Sequence, residues 1–240
     1  MKPKDQALDV WGDFACFSRP ELKVERFSYP VPTPSAVRGI YDAIYCKPTE
    51  FRWQVTRIEI LNPPAYIALR RNEVKDKAPS ERTILRWMDG KDDPQPILAD
   101  CTDDPNKGRT QRQTMALKDV RYRLHAEIRP WSGFESRLQG MENQFRRRAA
   151  KGKCIYQPYF GCREFPAYFE LVDVDAPPAE PISLTKDLGL MLYDVFDLSR
   201  PGKNDDKPSI SLFRTKVENG ILDVPHYESD AVLKMDWKEV

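Results

Sequence analysis

Tyr45 and Lys47 put a phenol and an amine two residues apart in the run Ala43-Ile44-Tyr45-Cys46-Lys47-Pro48, and His125 and His226 are the only imidazoles of the chain. A phenol, an amine and an imidazole can act as proton donor, charge stabiliser and proton acceptor. That set suffices to cleave RNA without a metal, because the nucleophile is the RNA's own 2′-hydroxyl. Such an attack leaves a 2′,3′-cyclic phosphate and requires ribose at the cut. Spacing alone favours the plainer alternative, a core tyrosine beside a solvated lysine. No Walker or dinucleotide loop is present, and no Ser-His-Asp or Cys-His pairing is suggested. Asp92, Asp93, Asp100, Asp103 and Asp104 do not follow the calcium-loop spacing and read as a solvated loop, so neither a metal nor a cofactor is expected.

The side chains suited to phosphate fall into strips. Arg19, Lys23 and Arg26 lie in one basic loop. Lys107 to Arg123 holds six Lys/Arg against one acid, with Arg121 and Arg123 at its end. Asn143 to Lys153 carries five Lys/Arg and no acid, and the triplet Arg146, Arg147 and Arg148 cannot all face a core. Arg38, Arg70, Arg71 and Arg163 add to the candidates, Arg163 beside Gly161 in a loop where backbone and guanidinium could approach a phosphate. A net charge of +1 excludes a uniformly basic nucleic-acid binder but not local basic faces.

These groups need elements to position them. Residues 5–17 read as a strand, with Gly12 marking a bulge or close backbone approach. Thr33 is a fit N-cap and Pro34 a fit first residue for a helix over 34–46, whose Val37, Ile40, Tyr41 and Ile44 form one apolar face. Tyr45 falls at the end of that face, and Pro48 blocks continuation. Phe51 to Leu61 is a strand whose apolar phase changes near Thr56, which predicts a bulge. Tyr66 to Arg71 is extended, and the segment ERTILRWMDG (81–90) reads as one arm of a hairpin. Val120 to Ile128 alternates: Val120, Tyr122, Leu124, Ala126 and Ile128 face a core, while Arg121, Arg123, His125, Glu127 and Arg129 make a basic face of the kind small RNA-binding sheets present.

A second helix spans 132–151, with a Ser132–Glu135 capping box, an apolar stripe of Phe134, Leu138, Met141, Phe145 and Ala149, and Gly152 as its cap. Gly140 interrupts it at about 1 kcal/mol relative to Ala. A loop over 154–165, a strand over 167–172 and a linker over 176–181 follow, then a strand over 188–198. Residues 209–217 and 221–224 read as a hairpin joined by Asn219-Gly220, with a loose acidic tail beyond. The order β-α-β, insertion, β-α-β is an α+β, ferredoxin-like pattern. It divides the chain into a first domain over 1–175, with an insertion at about 73–119, and a small antiparallel β domain over 182–240.

At 240 residues the chain can bury a core as one large domain or two small ones. No apolar run approaches the ~18–20 residues of a membrane span, and MKPKDQALDV lacks a signal-peptide core. Five cysteines without a C-x-x-C pair point to reduced thiols in the cytoplasm rather than to a zinc site.

The segments WGDFACF (11–17), RPELKVER (19–26), PSAVRGI (34–40), AIYCKP (43–48), RRNEV (70–74) and QPYFGCREFPAYFEL (157–171) resemble the Cas-five proteins of CRISPR subtype I-C, the Dvulg type. The resemblance covers most of the first 172 residues. It implies an RRM-related ferredoxin-like first domain of the RAMP type and a smaller antiparallel β second domain. It also implies a metal-independent endoribonuclease that cuts the CRISPR repeat transcript (pre-crRNA) at the base of its hairpin. Such a protein keeps the 5′ handle of the guide (crRNA) within the Cascade surveillance complex of antiviral defence, beside the other subtype I-C subunits. The family's catalytic set is a Tyr at the end of the first helix, carried over to Tyr45, and a Lys-His pair near the start of the Arg-rich helix. Aligned on FRRRAAKG (145–152), that pair falls on Gly140 and Met141, so the chain departs from the family there. Lys47 and His125 are the candidates to substitute. A silent structural RNA-binding subunit and a general duplex binder, of DNA as well as RNA, are the alternatives.

Overall fold

The structure is a computed structural model that describes residues 2–22, 24–100, 106–173, 177–203 and 206–234. Strand β1 (Gln6–Ala15) buries Leu8 and Val10 and turns Trp11 and Asp13 outward. The close approach signalled by Gly12 is real: a Cβ there would lie 2.7 Å from the Pro166 carbonyl oxygen and 3.0 Å from the Phe160 ring. A short strand, β2 (Arg26–Phe27), precedes helix α1 (Pro34–Ile44), where the Thr33 hydroxyl accepts the Ala36 N–H at 3.2 Å and Pro34 opens the first turn. Its Val37, Ile40, Tyr41 and Ile44 are fully buried. Strand β3 (Phe51–Ile60) carries a register shift between Val55 and Arg57, the bulge announced by its change of phase, and β4 (Ala65–Val74) follows.

Residues 81–88 are not a hairpin arm. They form helix α2 (Glu81–Met88), started by the Ser80 hydroxyl accepting the Thr83 N–H at 3.2 Å. None of its residues is buried: Ile84, Leu85 and Met88 of its apolar face stand exposed, so the helical spacing serves no core here. Strand β5 (Arg109–Pro130) is 22 residues long, far longer than its alternating centre. Helix α3 (Leu138–Ala149) starts later than its capping-box pattern predicts, because the Glu135 carboxylate accepts the Gly133 N–H at 2.9 Å and residues 135–137 form a 3₁₀ turn. The chain continues through β6 (Tyr168–Leu171), β7 (Lys186–Asp194), β8 (Ser211–Val217), β9 (Ile221–Asp223) and β10 (Val232–Lys234). Ala176 of the expected linker, Asp103 and Asp104 of the acidic loop, and the tail beyond Lys234 lie outside the described residues.

The chain forms two compact units, 1–67 with 115–240, and 68–114. In the first, an antiparallel sheet runs β6-β1-β5-β3-β9. Leu8, Leu124 and Ile58 lie opposite one another across β1, β5 and β3, all fully buried. Helices α1 and α3 pack against this layer through an aromatic cluster: the Trp53 ring centroid lies 4.8 Å from Tyr41 and 4.7 Å from Phe145. The Tyr41 hydroxyl, 2.7 Å from the Gln6 carbonyl and 2.8 Å from that of Leu124, pins α1 over β1 and β5. In the second unit, Lys75 N–H donates to the Gly108 carbonyl at 2.9 Å and Arg112 pairs with Glu73 at 3.0 Å, closing a ladder whose outer end carries α2.

A second, three-stranded sheet runs β10-β8-β7. Asn219 (φ 49°) and Gly220 (φ 76°) form the turn that their types require, but the strands they join part company. β8 pairs with β7 and β10, whereas β9 pairs with β3, and only a Glu218–Ile221 bridge remains of the expected hairpin. The reason is local: the Ile60 N–H donates to the Gly220 carbonyl at 2.8 Å, and the Ile182 carbonyl lies 2.3 Å from where a Gly220 Cβ would be.

Arg38 joins α1 to this sheet. Its guanidinium reaches Asp194 (2.7 and 3.1 Å) and Asp42 (2.6 Å), and Asp194 is 1% exposed. Burial alone would pull the guanidinium's pKa down, but the two carboxylates hold it above the ordinary value. The residue is thereby committed to the interior rather than to phosphate. Arg38→Ala strands a buried carboxylate, so urea unfolding should show a loss of about 3–5 kcal/mol. A loss within experimental error would mean that the pair contributes nothing net.

Candidate active site

Tyr45 is the residue at which α1 ends. Its backbone is extended (φ −151°, ψ 114°), its N–H still donates to Tyr41 at 2.9 Å, and its carbonyl accepts the Trp53 indole N–H at 2.9 Å. The ring lies on Phe51, centroids 5.2 Å apart. The two preceding carbonyls are also occupied: Ala43 accepts the Ile155 N–H and Ile44 accepts the Arg148 Nε–H, both at 2.6 Å. Lys47 and Glu50 follow in a tight turn, Lys47 Nζ donating to Glu50 Oε1 at 2.9 Å while Glu50 Oε2 lies 3.6 Å from Arg137.

Facing them is the first turn and a half of α3. A cleft of about 770 Å³ is lined on one side by Tyr45, Lys47 and Glu50 and on the other by residues between Ser136 and Gln144, Gly140 and Met141 among them. Gly140 and Met141, the positions singled out beside Tyr45 by the sequence, thus line the same cleft. Met141 is 3% exposed and faces the core as well, whereas a Cβ on Gly140 would meet nothing within 4 Å.

Burial is the main force on the Tyr45 phenol and raises its pKa; Lys47 and Arg148 pull the other way, and Glu50 raises it further. The phenol is therefore neutral at neutral pH and available as a hydrogen-bond and proton donor. The hydrogen bond to Glu50 raises the Lys47 pKa, and the same bond lowers that of Glu50, so the pair is an ammonium and a carboxylate. The cleft can thus stabilise developing negative charge and donate a proton. It contains no imidazole to accept one.

His125 is not brought to this cleft. It stands on the outward face of β5, 7% exposed, with Nδ1 2.5 Å from Asp5 and Nε2 3.2 Å from Glu59. The basic face of β5 is partly neutralised: Arg123 makes a bidentate pair with Asp9 of the neighbouring β1 (2.7 and 3.0 Å), and Arg129 meets Glu127 of its own strand at 2.8 Å. Arg121 remains exposed. Among the other candidates, Arg19 lies over the Tyr29 ring at 4.7 Å and 3.7 Å from Glu21, and Arg26 pairs with Glu164 at 3.6 Å. Arg71 meets Glu73 at 3.5 Å, and Arg70 and Arg163 are exposed. Arg146 is half-buried, Arg147 exposed and bonded to Gln144, and Arg148 holds the Ile44 carbonyl. Lys23 lies outside the described residues.

The Cas5d family model, described as "CRISPR-associated protein (Cas_Cas5)", matches residues 7–225. The chain belongs to the Cas5d family of CRISPR-associated proteins. A relative from Mannheimia succiniciproducens named "CRISPR pre-crRNA endoribonuclease Cas5d" is 39% identical over 231 residues, covering 94% of this chain and 96% of its own. A second of the same name, from Thermus thermophilus, is 38% identical over 232 residues, covering 91% and 90%. A solved structure described as "Crystal Structure of CRISPR-associated Protein" superposes with a TM-score of 0.62 over 96% of both chains at 20% identity, which shows a shared fold.

Sequence reasoning missed Glu50 and Arg137 as members of this Cas5d cleft. The Lys47–Glu50 spacing (i, i+3) was a usable signal; Arg137, 87 positions further on, had none.

Proposed function

We propose that this chain is a metal-independent endoribonuclease that cuts CRISPR repeat transcripts and then keeps the guide's 5′ handle as a subunit of a subtype I-C Cascade. The observation that carries the reading is the cleft in which Tyr45 and Lys47 face the start of α3 at Gly140 and Met141. The names of the two relatives support the substrate class. The strand order β6-β1-β5-β3, with α1 and α3 packed on the layer, supports a ferredoxin-like, RAMP-type first domain, and the β10-β8-β7 sheet supports a small β domain after it. No helix among the described residues is long and apolar enough to cross a membrane, which is compatible with work in the cytoplasm.

In the proposed step the 2′-oxygen bonds to the adjacent phosphorus and the P–O5′ bond breaks. The products are a 2′,3′-cyclic phosphate and a 5′-hydroxyl. Lys47 stabilises the charge gathered on the phosphorus oxygens, and the neutral Tyr45 phenol donates its proton to the departing 5′-oxygen. Water takes the 2′-proton, because the cleft offers no imidazole to do so. Cleavage is therefore slow.

The test is a single-turnover assay on end-labelled repeat RNA, expected to yield one slow cut with a cyclic-phosphate end. Binding without any cleavage would instead support a silent structural subunit, the reading that the Gly140–Met141 departure favours.

A further inference from the structure

A second cavity, of about 320 Å³, lies beside the Tyr45 cleft and shares Gln144 with it. The rest of its lining is Arg147, Arg148, Lys151 and Lys153: four cations and no acid. A helix end builds it. After Ala149 the Lys151 N–H donates to the Arg148 carbonyl at 3.1 Å, and Gly152 turns the chain back through a φ of +61°. The Lys153 N–H then returns to the same carbonyl at 2.9 Å, which brings Lys153 beside the arginines. Gathered cations repel one another unless an anion lies among them. Among the described residues the Lys151 and Lys153 ammonium groups have no partner, and Arg147 has only the Gln144 side-chain oxygen.

We propose that this groove is a phosphodiester subsite for the RNA strand on one side of the cut, and that it holds that product after cleavage. The identity of the RNA rests on the nuclease reading. A strand whose scissile phosphate lies in the Tyr45 cleft passes Gln144 to enter the groove. Contacts to its flanking phosphates are the same before and after the P–O5′ bond breaks. They therefore supply affinity and retention rather than rate. Arg148 has a further duty, since its Nε holds the Ile44 carbonyl next to Tyr45.

The variant is Lys151→Ala with Lys153→Ala; both residues are exposed and outside the packing of α3. The probes are repeat RNA with a single 2′-deoxy nucleotide at the cut, which binds without reacting, and the two product fragments made separately. Affinity for the deoxy repeat should fall about tenfold or more, and the salt dependence should become shallower by about one to two. One fragment should lose affinity to the same extent and the other should not, while the saturated single-turnover rate on all-ribose repeat stays as in the wild type. Unchanged affinities and salt slope would overturn the proposal. So would equal losses for both fragments, or a lower saturated rate at unchanged affinity. A wild type that binds the repeat but never cuts it refutes the nuclease reading alone, because the deoxy repeat and the fragments still report on the groove.

Discussion

Repeat RNA carrying one deoxyribose immediately 5′ of the scissile phosphate should emerge from prolonged incubation uncut, while all-ribose RNA is cleaved at the same rate with and without a chelator. The deoxy substitution removes the nucleophile itself, so no protein group can compensate. The chelator result follows from the stabilising charges being the protein's own: Lys47 is held as an ammonium by Glu50, with Arg137 on that carboxylate's other oxygen. Product from the deoxy RNA, or a rate abolished by chelation, would show that water or a metal-bound hydroxide attacks instead.

The second large effect is Tyr45→Phe, which should lower the single-turnover rate by about 10²–10⁴-fold and leave affinity intact. The ring keeps its place on Phe51 and the backbone carbonyl keeps the Trp53 indole, so only the hydroxyl is lost. As a donor the phenol must be protonated: its contribution is full below its pKa and disappears above it. Burial raises that pKa, so the rate should not fall on the Tyr45 account until pH passes the ordinary phenol range. Gly140→Lys should raise the rate, since a side chain there meets open space, whereas Met141→His adds a base at the expense of a buried core position. A fast wild type indifferent to Tyr45→Phe would move the site elsewhere.

What the sequence disclosed was local. Helix α1 was legible because its cap, its first proline and its stripe all lie within twelve residues, Thr33 to Ile44. The bulge in β3 was legible because alternation changes phase within the strand itself. Helix α2 was misread although its Ser80 cap and the helical spacing of Ile84, Leu85, Trp87 and Met88 lie in the sequence, and none of that apolar face is buried. The Asn219-Gly220 turn was read correctly and its strands were not, because which sheet accepts β9 depends on Ile60 and Ile182. The charges misled for a related reason. Counting along β5 found a basic face, but Asp5, Asp9 and Glu59 come from outside that strand and meet it only across the folded sheet. Arg38 likewise finds Asp194, 156 positions away. The location of the cleft was partly legible, through the end of α1 and the start of α3; the ion pairs that set its charge were not.

Helix ends are ordinarily where amides exchange first and proteases enter, because the last carbonyls have no partners. The end of α1 is an exception. Its final carbonyls are held by the Ile155 backbone, the Arg148 guanidinium and the Trp53 indole, donors from a loop, from α3 and from β3. Tyr45 therefore does not fray as an ordinary helix end does. Disordering it means breaking contacts to a loop, to α3 and to β3 together, so its backbone should open later than a helix end whose carbonyls face water.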